Sequence, residues 1–287
     1  MLLSVFDPWN SPLCTCPSKL TFNPYTGCDH ACLYCYASSY IPNFCECRPK
    51  KNLIVRLRTE AGKLEGELVS MSNSSDPYPR LDQKMGLTRK CLEILADSRC
   101  RVQIITKSDL VTRDIDVLQN VICAVSVTVL TRNDELSRRL EPGAPVSSRR
   151  LKAIETLVDA GIPTTVRIDP VIPFLNDDLA DLMKKVADLG ALHVTCSTYK
   201  IKPDNWKRFR AVFPEVAEKL QPHYFGEGEH VARSIYLPKN LRFDLMKKAK
   251  ELAEENSLKF GCCREGFSLN SGVCDGSWTI QEHRNCV

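Results

Sequence analysis

Three cysteines fall within eight positions of "NPYTGCDHACLYCYA", residues 23–37: Cys28, Cys32 and Cys35, beside Gly27 and several aromatic residues. Thiolates held so close bind soft metals. A structural zinc site takes four Cys or His ligands, usually as two short pairs, so zinc here would need His30 as its fourth ligand. Three thiolates on one tight loop suit a [4Fe–4S] cluster better, because one iron then stays open to another ligand and can hand it an electron. Plain buried thiols are the third reading.

The chain carries 15 cysteines in 287 residues, and the remaining ones fall into groups. Cys14 and Cys16 form one C-x-C pair and Cys45 and Cys47 another, flanking the loop, so these four could hold zinc or a second iron–sulfur cluster. The tail offers a second candidate set in Cys262, Cys263 and Cys274, with His283 and Cys286 beyond. Cys91, Cys100, Cys123 and Cys196 lie in apparent helices or strands and are expected in the core. A disulfide framework is the weaker explanation, because Met1–Val5 is too short to read as a signal peptide. No run approaches ~20 uncharged apolar residues, so a membrane span is not expected and the cytoplasm is the expected location.

A thiol loop works only if a fold positions it. Hydrophobic residues make up 43% and charged residues 26%, which describes a globular chain with a real core and excludes a disordered one. The net charge of +4 is mild and spread along the chain, so it permits a polyanionic partner without requiring one. Apolar, β-branched runs predict strands at Leu20–Phe22, Leu68–Met71, Val102–Thr106, Cys123–Val129, Thr164–Ile168 and Leu192–Thr195. Between them, helical periodicity marks Leu87–Ala96, Arg113–Leu118, Ser148–Ala160 and Asp178–Leu189, and a further helix is expected over Asn240–Asn256. Asn176, Asp177 and Asp178 read as N-cap residues of the fourth helix. Strand and helix alternating about six times give an α/β fold of parallel βα units, a barrel or a doubly wound sheet. In a barrel the chemistry gathers at the C-terminal ends of the strands, where this chain places the cysteine loop, "SNSSDPYP", "TKSDL" and "DPVIP".

Cys28-x3-Cys32-x2-Cys35, with Tyr34 before the last cysteine, resembles the cluster loop of the radical S-adenosylmethionine enzymes. With "SNSSDPYPRLDQKMGLTRKCLEIL", "ITKSDLVTRDIDVL" and the stretch from "VSVTVLTRNDELSRRLEPGAP" to "VRIDPVIPFLND", it is similar to the spore photoproduct lyase-like branch, over residues 20 to 196. The resemblance implies a partial (βα)6 TIM-type barrel over residues 20–200, after an N-terminal extension of residues 1–19. A helical, Cys-rich segment, residues 201–287, would cover the opening. It implies a [4Fe–4S] cluster on Cys28, Cys32 and Cys35 that chelates S-adenosylmethionine and cleaves it reductively to methionine and a 5′-deoxyadenosyl radical. Asp76, with Ser74 and Ser75, would contact the amino group of S-adenosylmethionine. Lys107 would approach its carboxylate, Ser126 and Arg149 the carboxylate or ribose, and Tyr34 the adenine. Further implications are an auxiliary iron–sulfur cluster or zinc, and an electron donor such as a ferredoxin or flavodoxin. A monomer is expected. Arg167 and Asp169 would face the substrate, or simply pair with each other at the strand end.

One departure separates this chain from the lyases, which place a hydrogen-donating cysteine just upstream of the Ser-Asp of the second-strand motif. Asn73 stands there, and an amide cannot donate a hydrogen atom as a thiol can. A tail cysteine could act as relay in its place. "YKIKPDNWKRFR", residues 199–210, interleaves aromatic and basic residues, a pattern that can stack bases and neutralise phosphates, or else forms an amphipathic helix with its aromatics in the core. The leading expectation is radical chemistry on a nucleic acid base. The alternatives are the same chemistry on a peptide or small molecule, and an iron–sulfur electron-transfer protein that leaves the cofactor intact.

Overall fold

The computed structural model describes residues 1–6, 11–71 and 74–282. All six expected strands are present, within a larger sheet of eight that lie side by side in chain order. These are β1 (Ser4–Val5), β2 (Leu20–Phe22), β3 (Leu68–Met71), β4 (Arg101–Thr106), β5 (Cys123–Thr128), β6 (Thr164–Val171), β7 (His193–Thr198) and β8 (Lys259–Cys262). Strand β1 pairs antiparallel with β2, and every other pairing within this sheet is parallel. The seventh parallel strand, β8, comes from the segment expected to cover the barrel, and it pairs Cys262 with Cys196 of β7. Its sequence, "KFGC", is too short and glycine-broken to announce a strand.

The pleat sorts side chains onto two faces. Val69, Met71, Val102, Ile104, Val125, Val127, Val166, Ile168 and Val194 pack with the surrounding helices in the main core. Ser70, Gln103, Ser126, Thr165 and Thr195 alternate with them, also buried, and give the inner face a small, polar character. Small inner residues leave room, and the C-terminal segment enters it. Gln103 Nε2 donates to the Asp275 carbonyl at 2.7 Å, Thr195 Oγ1 to the Cys274 carbonyl at 3.0 Å, and Lys19 Nζ pairs with Asp275 at 2.6 Å. Below them Ile280 packs on Leu68 and Ala124. Gly261 permits this docking, since a Cβ there would sit 2.1 Å from the Cys274 carbonyl oxygen.

The helices follow the expected spans closely: Leu87–Ala96, Ser147–Asp159, Ala180–Asp188 and Lys239–Glu255. Over Arg113–Leu118 the chain forms a 3-10 turn, Asp109–Asp114, running into a short helix at Ile115–Leu118. Asn176 does not cap the helix that follows. Its buried side chain instead accepts from the Ile172 N–H at 2.7 Å and donates to the Leu130 and Pro170 carbonyls, tying the end of β6 to the turn after β5. Cys91, Cys100, Cys123 and Cys196 are buried in the core as expected. No helix among the described residues is long and apolar enough to cross a membrane.

Candidate functional site

The thiol loop follows β2 and is shaped by close backbone approach. Gly27 takes φ +79°, and a Cβ on it would meet the Phe44 carbonyl oxygen at 2.5 Å. That same carbonyl accepts from the Cys28 N–H at 2.7 Å. On the other side Gly143 lies so near that its Cβ would fall 1.9 Å from the Asp29 carbonyl oxygen, and its N–H donates to the His30 carbonyl at 2.9 Å. Leu33 N–H donates to the Leu140 carbonyl at 2.9 Å. Segments more than 100 residues away in sequence therefore hold the loop in one conformation.

Electrostatics fix its aromatic residue. The Tyr34 hydroxyl donates to Glu141, whose carboxylate pairs with Arg150 at 2.5 Å, and both charged side chains are fully buried. Arg150 also donates to the Pro145 and Thr128 carbonyls. A buried ion pair of this kind is held by its extra hydrogen bonds, and removing one partner strands the other charge.

The stretch from Tyr199 to Arg210 forms the helix Pro203–Val212, and its aromatics face inward: Tyr199, Trp206 and Phe209 are buried against Cys32, Leu33 and Tyr34. Asn205 Nδ2 donates to the Tyr34 carbonyl at 3.1 Å, and Arg208 to the Cys35 carbonyl at 3.0 Å. Lys200 pairs with the buried Glu265 at 2.7 Å. The expected base-stacking stripe is thus a buttress for the thiol loop, and its amphipathic alternative is the arrangement observed.

Cys28, Cys32 and Cys35 line one cavity of about 500 Å³, together with Tyr34, Ser74, Ser75, Asp76 and Lys107, within the range of ordinary cofactor sites. Burial pushes all three thiols above their ordinary value, Cys32 up to about 12. Without metal they are protonated thiols, so metal loading must release their protons. Asp76 Oδ1 accepts from Thr106 Oγ1 at 2.7 Å and the Tyr78 N–H at 2.9 Å, and Oδ2 accepts from the Lys107 N–H at 2.7 Å. It therefore makes the turn before Pro77 and also pins the ends of β3 and β4 together at the cavity wall. The Lys107 ammonium stands 5.6 Å from the Tyr34 ring centroid. Burial opposes its charge, but Cys32, Glu141 and Asp76 more than offset this and raise its pKa.

Two expected site residues lie off the cavity wall. Arg149 lies on the surface, 65% exposed, paired with Asp109 at 2.6 Å; the buried guanidinium of this helix is that of Arg150. Arg150 lies four residues before Ile154 and seven before Leu157, on the helix's apolar face, so the helical period turns it inward and leaves Arg149 in solvent. Ser126 is buried on the inner face of β5 but does not reach the cavity; Thr128, one pleat further along, lines it. His30 is buried with Nδ1 3.4 Å from Asp76, and burial lowers its pKa. No three His, Cys, Asp or Glu side chains among the described residues converge as ligands of a single ion. A four-iron cluster makes a different demand, because each thiolate takes a separate iron. Asn73, the position of the absent hydrogen donor, lies outside the described residues, as do His283 and Cys286.

Arg167 and Asp169 pair at 2.7 Å, and both line the cavity. Ser197 Oγ donates to Asp169 at 2.5 Å. The two expected auxiliary sets do not assemble as drawn. Cys45 is exposed and Cys47 lies in the field of Asp29 and Asp76, whereas Cys16 Sγ sits 3.7 Å from Cys274 Sγ.

An open, mostly parallel barrel with three thiols after its first parallel strand defines a class. The sequence model of the Radical SAM superfamily matches residues 22–186, over half of the 287 residues. The chain belongs to that superfamily and is a radical SAM enzyme. An uncharacterized protein of Mycobacterium tuberculosis is 29% identical over 255 residues, covering 82% of this chain and 74% of its own. A radical SAM Nα-GlyT isomerase of Pseudomonas phage M6 is 22% identical over 275 residues, covering 89% of this chain and 55% of its own. Among solved structures, spore photoproduct lyase with bound AdoMet and dinucleoside spore photoproduct superposes with TM-score 0.66 at 15% identity, over 88% of this chain and 77% of the lyase. At that identity the likeness is one of fold.

Proposed function

We propose that Cys28, Cys32 and Cys35 hold a [4Fe–4S] cluster, that S-adenosylmethionine binds beside it, and that the substrate is a nucleobase-containing molecule. The carrying observation is the set of three buried thiols, locked by Gly27, Gly143 and Glu141, on the wall of one large cavity. The wall suits a polar cofactor: Asn23 Oδ1 and Ser75 Oγ are buried without a hydrogen-bond partner, an arrangement that costs free energy unless a ligand completes it. When bound, the cluster and S-adenosylmethionine supply a 5′-deoxyadenosyl radical for hydrogen abstraction.

The chain's own residues prepare that chemistry. Three thiolates leave a fourth position for the cofactor, Lys107 offers a point charge to its carboxylate, and Ser74 and Ser75 offer hydroxyls near Asp76. Tyr34 is tethered at its hydroxyl by Glu141 and at its carbonyl by Asn205. The Arg167–Asp169 pair presents charge at the β6 end of the same cavity, where a polar substrate can be oriented. A small ferredoxin or flavodoxin fits as electron donor. The nucleobase reading is supported by the dinucleoside bound to the solved relative of this fold. Asn73 in the donor's place supports a modification other than the lyase reaction.

The test is 5′-deoxyadenosine formation by anaerobically reconstituted, dithionite-reduced protein, wild type beside Cys32→Ala, with and without single-stranded oligonucleotides. Product from the wild type alone, accelerated by oligonucleotide, meets the proposal. Product that no oligonucleotide accelerates removes the nucleobase part, and equal product from both proteins removes the ligand assignment.

A further inference from the structure

Four thiols beside the cavity play no part in the site above. Cys14 and Cys16 lie before β2, and Cys263 and Cys274 follow or adjoin β8, yet the fold brings them together. Cys16 Sγ lies 3.7 Å from Cys274 Sγ across 258 positions of sequence. Cys14 hydrogen-bonds to Cys16, and Cys263 is within electrostatic reach of Cys14, Cys16 and Cys274. Their backbones are pinned: Cys14 N–H donates to the Ser11 carbonyl at 3.0 Å and Cys263 N–H to the Cys196 carbonyl at 2.8 Å. The Cys274 carbonyl accepts from Thr195.

Two thiolates on one tetrahedral metal, with metal–sulfur bonds near 2.3 Å, stand about 3.8 Å apart, and a disulfide would need about 2.05 Å. The Cys16–Cys274 separation rules out a disulfide and matches both a thiol–thiol hydrogen bond and two ligands of one metal. The surroundings suit an anionic centre as well. The Lys19 ammonium, buried and paired with Asp275, stands in the field of Cys16 and Cys274, and Arg167 hydrogen-bonds to Cys263. Among the described residues no three ligands yet converge on one ion, so Cys14 and Cys263 must close by side-chain rotation or sit on a second iron. Cys14, Cys16 and Cys263 all face the cavity, where such rotation meets open space.

We infer that Cys14, Cys16, Cys263 and Cys274 form a second, tetrathiolate metal centre that staples the two ends of the chain together inside the barrel. The ligand is a thiophilic metal, and zinc and an iron–sulfur cluster are its two sources. Part of each set expected from sequence contributes: one of the two C-x-C pairs, and two of the three tail cysteines. The adjacent Cys262 points instead into the core.

The decisive experiment counts iron, sulfide and zinc per chain in full-length protein, after reconstitution with ferrous iron and sulfide or with zinc alone. Three proteins are compared: wild type, Cys28→Ala/Cys32→Ala/Cys35→Ala, and Cys16→Ser/Cys274→Ser. The loop variant should keep one metal centre, and the chain-end variant should lose that centre while keeping the absorption of the loop cluster. Retained iron with sulfide identifies a cluster, and retained zinc a mononuclear site. Should the loop variant fail to fold, alkylation mapping of the wild type replaces it: Cys14, Cys16, Cys263 and Cys274 should resist iodoacetamide until a chelator is added. Unchanged metal content in Cys16→Ser/Cys274→Ser, free alkylation of all four thiols in metal-loaded protein, or a Cys16–Cys274 disulfide there overturns the inference. A wild type that holds this metal but forms no 5′-deoxyadenosine would count against the proposed function alone and leave this inference standing.

Discussion

The two groups of thiols are assembled in opposite ways. Cys28, Cys32 and Cys35 are near neighbours on one loop, and distant segments merely clamp that loop into shape. Cys14 and Cys16 start far in sequence from Cys263 and Cys274, and only the docking of the tail into the barrel brings Cys16 into contact with Cys274. The first group pays little chain entropy to gather, because the ligands are already tethered within a few residues. The second must close nearly the whole chain into a loop, so its gathering depends on the rest of the fold. The local group should therefore fail by losing a ligand or its clamp, and the remote group by losing the tail's seat.

The largest effect expected on the local side is from Cys32→Ala, which should bring iron on the loop and 5′-deoxyadenosine to background. A wild-type cluster spectrum in this variant would end the ligand assignment. Next comes the clamp. Glu141→Gln leaves Arg150 charged and buried without its partner, and should cost about 3–5 kcal/mol of stability. Denaturant titration would show it, and a midpoint unchanged from wild type would mean that the pair is not buried as described. Gly143→Ala forces a methyl group against the Asp29 carbonyl, and overpacking of this order costs about 1–3 kcal/mol. The loop should also lose iron faster in air, whereas a lowered melting temperature with full cluster retention would separate general stability from loop geometry.

Smaller effects sharpen the boundary of the site. Lys107→Ala should weaken S-adenosylmethionine binding by roughly 10- to 100-fold, the worth of a charge-assisted hydrogen bond, while leaving the cluster in place. Equilibrium dialysis reads this directly, and unaltered affinity would remove Lys107 from the cofactor contacts. Arg149→Ala should change neither affinity nor product, because an exposed pair with Asp109 is worth about 0–1 kcal/mol. A tenfold loss of affinity there would restore Arg149 to the site.

The strands were legible because β-branched runs recur with turn residues between them, and the thiol loop because its ligands are close in sequence. The strand Lys259–Cys262 was not, since four residues with a central glycine carry no pattern without the neighbour His193–Thr198 to pair with. The basic and aromatic residues of Tyr199–Arg210 showed a helix but not its face. Only packing reveals that Trp206 and Phe209 turn toward Cys32 and Tyr34, and that Arg208 holds the Cys35 carbonyl. Arg149 and Arg150 differ by helical period: Arg150 lies one turn before Ile154 on the apolar face, so one step along the helix moves a guanidinium from solvent to a buried ion pair.

The sequence by itself determined the parallel βα alternation and the three-thiol loop after its first strand, because both are written in residues a few positions apart. Tertiary structure alone decided what grips the loop and which of the remaining cysteines meet. Those outcomes depend on contacts between segments 100 to 258 positions apart, and local periodicity carries no information about which distant surfaces will share a core.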